Sequence, residues 1–314
     1  MKADFSRATF VRSTAAIAAL GVAGARPAFA DDAVKIGTIP IDPASECFYA
    51  QEMGFFGKAG IAAEIENFSS GGAVAAAIAG GSIDFGNVDL VTVAAAHARG
   101  VPFVVLAPAG VFTRAAQTYV LLVKSDSPIR GAKDLAGKTV VVNGLKNINQ
   151  IPTEAWIENN GGDAKSVKFI ELPFPAMVPA LEDGRLDAIA VTEPTLAITN
   201  GKYRVISLAD KNVAPSFMVA GWTTTREWVQ KHPDLAKRVT AVMAETARWA
   251  NANHDKSAQI LTKYSKLPLP TIERMQRSYY GEKLDAALMQ PVIDATAKYG
   301  VIDKSFPASA IIAG

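Results

Sequence analysis

Residues 71–89 read GGAVAAAIAGGSIDFGNVD, and residues 174–194 read FPAMVPALEDGRLDAIAVTEP. In both, a short run of small and apolar residues suited to a helix ends at glycine, which closes helices without steric cost. A Gly-x-apolar-Asp step follows: Gly81-Ser82-Ile83-Asp84 in the first and Gly184-Arg185-Leu186-Asp187 in the second, 103 residues later. An apolar strand comes next. At the same offset Lys35-Ile36 falls on Lys138-Thr139, so the chain makes one move twice.

Working outward, VKIGTIP (34–40) is a strand ending in a polar loop, 44–56 is helical, and IAAEIENF (61–68) is a second strand. Ser69-Ser70-Gly71-Gly72 opens the helix that leads to the strand 83–89. In the second unit KTVVVNG (138–144) is a strand, 149–159 a helix, SVKFIEL (166–172) a strand, 176–182 a helix and 186–194 a strand. Segments 90–108 and 195–210 add further βα material to each unit. Such alternation predicts an α/β chain with parallel sheets and right-handed crossovers, here two doubly wound lobes. Segments 117–138 and 215–229 hold extended apolar runs and read as two crossings, which let the lobes turn about a hinge. Lobe one is expected to be 31–116 with 220–314, and lobe two 117–219. Thr224-x-x-Glu227 reads as a capping box. Leu235, Val239, Val242, Met243 and Trp249 give 233–253 a helical period. Helices at 255–265, 270–280 and 290–299 complete a tail that packs on lobe one.

Asp84-Phe85-Gly86 spells the tripeptide that holds magnesium in protein kinases. A kinase also needs a glycine-rich loop and a catalytic loop. The chain has neither G-x-G-x-x-G nor H-R-D. The position of Asp84, matched by Asp187, makes it a strand start.

Residues 1–30 read as an export signal: Lys2, Arg7 and Arg12, then the apolar stretch 13–24, then Ala28-Phe29-Ala30 before a cleavage at Ala30/Asp31. The apolar core is shorter than the roughly 20 residues a membrane span needs. Ala8 stands where a twin-arginine signal has its second arginine, which favours the general secretory route. With 1–30 set aside, the 32 basic and 30 acidic side chains become 28 and 29. This near-neutral balance gives no electrostatic footprint for nucleic acid. The single cysteine, Cys47, permits no intrachain disulfide and reads as a buried thiol. The protein is expected in the periplasm as a monomer, without membrane insertion.

In open α/β sheets ligands bind outside the carboxyl ends of the strands. Those ends carry Asp42 with Ser45, then Ser69-Ser70-Gly71, then Asn87 and Asp89. In the second unit they carry Asn143, Asn147 and Asn149, then Glu171, then Thr192-Glu193-Pro194. The Ser69 to Gly72 turn offers either backbone N–H groups to an anion or electron-rich ring edge, or a plain helix cap. Asn149-Gln150 carries the same pair of readings. Glu193 is read as a ligand contact first and a structural ion pair second, since a buried carboxylate needs a partner. Asp42 and Asp89 are ligand contacts or loop caps. Trp222 stacks on a ligand ring or belongs to the core.

Jointly, several segments resemble one family. They are YAQEMGFFGKAGIAAEIENFSSGGAVAAAIAGGSIDFG (49–86), SDSPIRGAKDLAGKTVVV (125–142), LEDGRLDAIAVTEP (181–194), KHPDLAKRVTAVMAETARWA (231–250) and YGVI (299–302). They are similar to the solute-binding proteins of bacterial ABC importers with the type II periplasmic fold, in the subgroup for nitrate, sulfonates, taurine and the thiamine pyrimidine precursor. The resemblance spans most of the chain. It implies capture of a small solute between two lobes and delivery to an inner-membrane permease. It also adds Thr113 and Asn143 as ligand contacts.

The strand ends hold Asp42, Glu46, Asp89, Glu171 and Glu193 against Lys146 and Arg114. That balance predicts a ligand with N–H donors, such as an aminopyrimidine or another nitrogenous heterocycle; sulfonate, taurine and nitrate are the alternatives. No cofactor or metal is expected, because one cysteine and the scattered His97, His232 and His254 have no ligand spacing. An enzyme of thiamine-pyrimidine synthesis and a periplasmic sensory subunit are the rival classes.

Overall fold

The computed structural model describes residues 32–116, 119–199 and 201–313, so the export-signal reading of 1–30 lies outside the described residues. The described residues belong to one compact unit. The strands are β1 (Asp32–Thr38), β2 (Ile61–Asn67), β3 (Phe85–Asp89), β4 (Phe103–Pro108), β5 (Gly110–Phe112), β6 (Val120–Lys124), β7 (Thr139–Val142), β8 (Lys168–Glu171), β9 (Ala188–Val191), β10 (Tyr203–Leu208), β11 (Phe217–Met218), β12 (Ala220–Thr225) and β13 (Tyr279–Tyr280). The helices are α1 (Glu46–Glu52), α2 (Phe55–Lys58), α3 (Gly71–Ala79), α4 (Leu90–Ala98), α5 (Ile151–Asn159), α6 (Phe174–Glu182), α7 (Thr195–Ile198), α8 (Arg226–Lys231), α9 (Pro233–Ala252), α10 (His254–Ser265), α11 (Leu269–Glu273) and α12 (Ala286–Lys298).

The first sheet runs β2-β1-β3-β12-β4 and the second β8-β7-β9-β6-β10, so the two share one order. β11-β5-β13 forms a third, small sheet. The repeat seen in sequence is thus a repeat of topology. Its all-parallel form needs correction: β12 runs antiparallel to β3 and β4, and β6 antiparallel to β9 and β10. The cause is the crossings. Each of the two segments read as a connector supplies the fourth strand of a sheet, entering against the grain of the βαβ units.

The motif that opened the sequence reading has a structural job in both copies. Asp84 Oδ2 accepts from Lys35 N at 2.7 Å, and Asp84 N donates to Lys35 O. Asp187 Oδ2 accepts from Thr139 N at 2.8 Å, and Asp187 N donates to Thr139 O. Each aspartate therefore staples its chain to the neighbouring parallel strand. Asp84 also accepts from Trp228 Nε1. Replacing Asp84 by alanine is expected to lower stability by about 1–2 kcal/mol. A urea titration showing no loss would remove the staple from the account.

Local boundaries depart from expectation where backbone geometry intervenes. The helix read over 44–56 is split into α1 and α2 by Gly54, at φ +68°, a left-handed turn that glycine takes without strain. The cap of α8 is Thr225, whose side chain accepts from Trp228 N, while Thr224 donates to Asp84 O. The helix read over 270–280 stops at Glu273; the chain then extends into β13, which pairs with β5.

An apolar core runs through both sheets, from Ile36, Phe85 and Val105 to Leu122, Ile189 and Val191. A second cluster, with Leu121, Val140 and Trp156, fills the other face of the second sheet. In the tail, α9 packs on α1 and β4, and α12 packs on α4. No helix among the described residues is long and apolar enough to cross a membrane.

Candidate functional site

The carboxyl ends of β1, β2 and β3 meet those of β7, β8 and β9. Hydrogen bonds join the two sets of loops and the tail. Asp42 N donates to Glu193 O at 3.0 Å, Ile148 N to Asp89 Oδ1 at 3.2 Å, and Gln276 N to Glu193 Oε1 at 3.2 Å. Beside them opens a cleft of about 710 Å³. Ile39, Asn67, Phe68 and Ser69 form one wall, Pro173, Phe174, Val178 and Ile198 the other, and Tyr264 and Leu267 of the tail lean over it. A larger hollow of about 950 Å³ lies beside Lys35, Glu64 and Asp84, at the amino ends of β1 and β2. Strand carboxyl ends and the α3 and α6 N-termini converge on the smaller cleft, which is therefore the candidate site.

Buried beside the cleft lies an ion pair that sequence reasoning missed. Arg277 Nε lies 3.0 Å from Asp42 Oδ1, Ser278 N donates to Asp42 Oδ2, and Arg277 Nη2 donates to the Tyr49 hydroxyl. Burial works against the arginine's charge, but Asp42, Tyr49 and Tyr280 more than offset it and raise its pKa. Arg277 fell inside the stretch read as a helix, and its partner is 235 residues away, so no local signal marks it.

Every carboxylate in the sequence-based charge count has a partner within the protein. Asp89 caps α4 through Thr92 N and Thr92 Oγ1 as well as holding Ile148. Burial pushes its pKa up, against those hydrogen bonds. Glu193 accepts from Ala197 N at 2.9 Å and from Gln276 N; burial raises its pKa to about 7. Glu171 accepts from Leu145 N. Glu46 is fully buried, accepts from Trp222 Nε1 at 2.8 Å, and has its pKa pushed well up by burial. The acidic excess is thus consumed internally, and charge counting no longer points to a ligand.

The other candidates sort by place. Trp222 is fully buried, edge-on to Phe85. Ser70 caps α3 through Ala73 N, and Gly71 packs where a Cβ would come within 2.7 Å of Asp89 Oδ2. Ser69 lines the cleft. Ser45 donates to Ile41 O, next to a narrow recess shared with Asp42 and Pro194. Thr113 is occupied by a turn with Ala116. Asn143 and Asn149 bind each other through Asn143 N and Asn149 Oδ1, with Asn147 alongside. Asn87 is buried in β3. Asn87 Nδ2 and Asn149 Nδ2 have no hydrogen-bond partner among the described residues. Cys47 is buried and its thiol is pushed up to about 12 by burial.

Two sheets of one order, exchanging their fourth strands and meeting at their carboxyl ends, define the type II periplasmic binding fold. The family model described as NMT1/THI5 like matches residues 44–257, and the chain belongs to that family. A taurine-binding periplasmic protein of Escherichia coli (strain K12) is 24% identical over 247 residues, spanning 76% of this chain and 75% of that protein. The alkanesulfonate-binding protein of Xanthomonas axonopodis pv. citri, solved bound to MOPS, has the same fold. Its TM-score is 0.76 at 19% identity, over 91% of this chain and 99% of its own. The periplasmic nitrate-binding protein of Synechocystis PCC 6803 gives a TM-score of 0.71 at 18% identity, over 89% of this chain and 84% of its own.

Proposed function

We propose that this protein is the extracytoplasmic solute-binding component of an ABC importer, exported by its first 30 residues and working in the periplasm. It holds a small organic solute between two lobes and presents it to a membrane permease. The observation that carries this reading is the cleft of about 710 Å³ bounded by the carboxyl ends of two sheets of the same order. Residues 31–116 and 220–314 form one jaw and 117–219 the other. Ser69 and the turn it begins are the polar contact with the occupant, while Glu193 acts on it through Pro194, Thr195 and Ile198 of the wall.

A nitrogenous heterocycle is the favoured solute. The described cleft lining includes no lysine or arginine, and Phe68, Phe174 and Tyr264 bring aromatic side chains to it, which suits a ring-containing solute. A sulfonate, taurine or nitrate is the second reading, supported by what the similar proteins are named for binding. An anion of that kind normally needs a cation or several converging donors.

A thermal-shift panel tests the reading. Solute at a hundredfold its dissociation constant is expected to add about 2.7 kcal/mol of stability. Turnover of a bound compound would instead make the protein an enzyme. Native mass spectrometry on protein from its own host, showing no small molecule, together with a flat panel, would reject solute capture.

A further inference from the structure

We infer that the cleft is built for a solute whose bulk is apolar. This inference rests on the solute-binding reading above. Across the inner end, the bonds from Asp42 N to Glu193 O and from Ile148 N to Asp89 Oδ1 draw the two sheets' loops together. The space that remains, about 710 Å³, lies in the range of about 300–1,000 Å³ that encloses a drug-sized molecule. A nitrate ion or taurine would leave much of it unfilled.

The chemistry of the walls points the same way. No aspartate, glutamate, lysine, arginine or histidine lines the cleft among the described residues. Phe68, Phe174, Val178, Ile198, Tyr264 and Leu267 supply its faces, and prolines fill much of the rest. Prolines at 40, 173, 175, 179 and 194 also lack backbone N–H groups, which removes donors from the wall. Polar atoms are sparse, from Asn67, Ser69, Thr195 and Ser265. Such a wall rewards apolar contact and gives a charged group little return for losing its water.

Ile198 carries the strongest mark. It is 51% exposed and is one of only four large apolar side chains described as exposed, yet it belongs to the cleft wall rather than to open surface. Its exposed area is what an apolar guest would cover.

The test uses isothermal titration calorimetry on the purified protein with two probe series. One is n-alkanesulfonates of two to eight carbons; the other is 4-aminopyrimidines carrying 2-alkyl groups of the same lengths. Affinity is expected to rise about fourfold per added methylene in whichever series binds. Ile198→Ser, a change at a half-exposed position that leaves the core intact, is expected to weaken the longest member about threefold to tenfold and so to lower the gain in affinity per methylene. Binding that does not depend on chain length, or taurine and nitrate binding more tightly than the long members, overturns the inference while leaving solute capture standing. Absence of heat from every member of both series also overturns it. A small molecule carried by protein from its host would then still support solute capture.

Discussion

Replacing Arg277 by methionine lowers the unfolding free energy by about 3–5 kcal/mol, the cost of stranding one partner of a buried ion pair. The Arg277 side chain is 9% exposed and Asp42 is wholly buried. Methionine fills much of the space but leaves the buried Asp42 carboxylate with Ser278 N and without its countercharge. The partner change is expected to be milder in combination. Asp42→Asn with Arg277→Met removes both charges, and the asparagine oxygen can still accept from Ser278 N, so part of the loss returns. Urea unfolding of the wild type, the two single variants and the double variant forms the cycle. A loss under 1 kcal/mol for Arg277→Met, with the slope unchanged, would show that Asp42 does not depend on the arginine. The pair matters beyond stability because it joins the first loop of the first sheet to the tail, and Gln276 in the same stretch reaches Glu193 of the second sheet.

The sequence carried what repeats and what alternates. Strand and helix order followed from apolar runs punctuated by glycine, and the doubled Gly-x-apolar-Asp step located two units of one topology. What it lacked was direction and distance. Nothing in the apolar runs of β6 and β12 distinguishes a connector from a strand running the other way, because that depends on which sheet edge is open when the chain arrives. The segment after Glu273 reads as helix by composition, yet Asp42 captures Arg277 and Ser278 and pulls the chain into extended form. The candidate site was legible as a set of strand ends. Its electrostatics were not: Glu46 looked like a cleft carboxylate, but α1 turns it under the first sheet to meet Trp222. Charges counted along a chain say little until their partners are known. The cleft's apolar wall escaped notice for a related reason, since Phe174, Ile198 and Leu267 belong to three separate elements and look like ordinary core residues in each.

Glu193 makes stability depend on pH in the neutral range. Its carboxylate receives two backbone N–H groups, from Ala197 on its own side and from Gln276 of the tail, and both favour ionisation. Burial opposes them and prevails; Asp42 adds to the rise and Arg277 works against it, leaving the pKa at about 7 instead of 4.5. A raised pKa means that the folded protein holds this proton more tightly than the unfolded chain. The resulting stability is fully present below about pH 4.5 and is lost as pH rises through about 7. The span amounts to up to about 3 kcal/mol. Glu193→Gln removes the titration and gives up one of the two accepted bonds. At pH 5 the variant is therefore expected to be less stable than the wild type by about 1 kcal/mol. By pH 8 the difference is expected to vanish or reverse, because only the wild type must then bury a charge. Urea midpoints for both proteins from pH 5 to pH 8 read this out directly. A constant difference across that range would mean that Glu193 is already ionised at pH 5 and that its two N–H donors outweigh its burial. Since Pro194, Thr195 and Ile198 continue from Glu193 into the cleft wall, the cost of burying this charge above pH 7 would reach the solute as a fall in affinity, steeper in the wild type than in the glutamine variant.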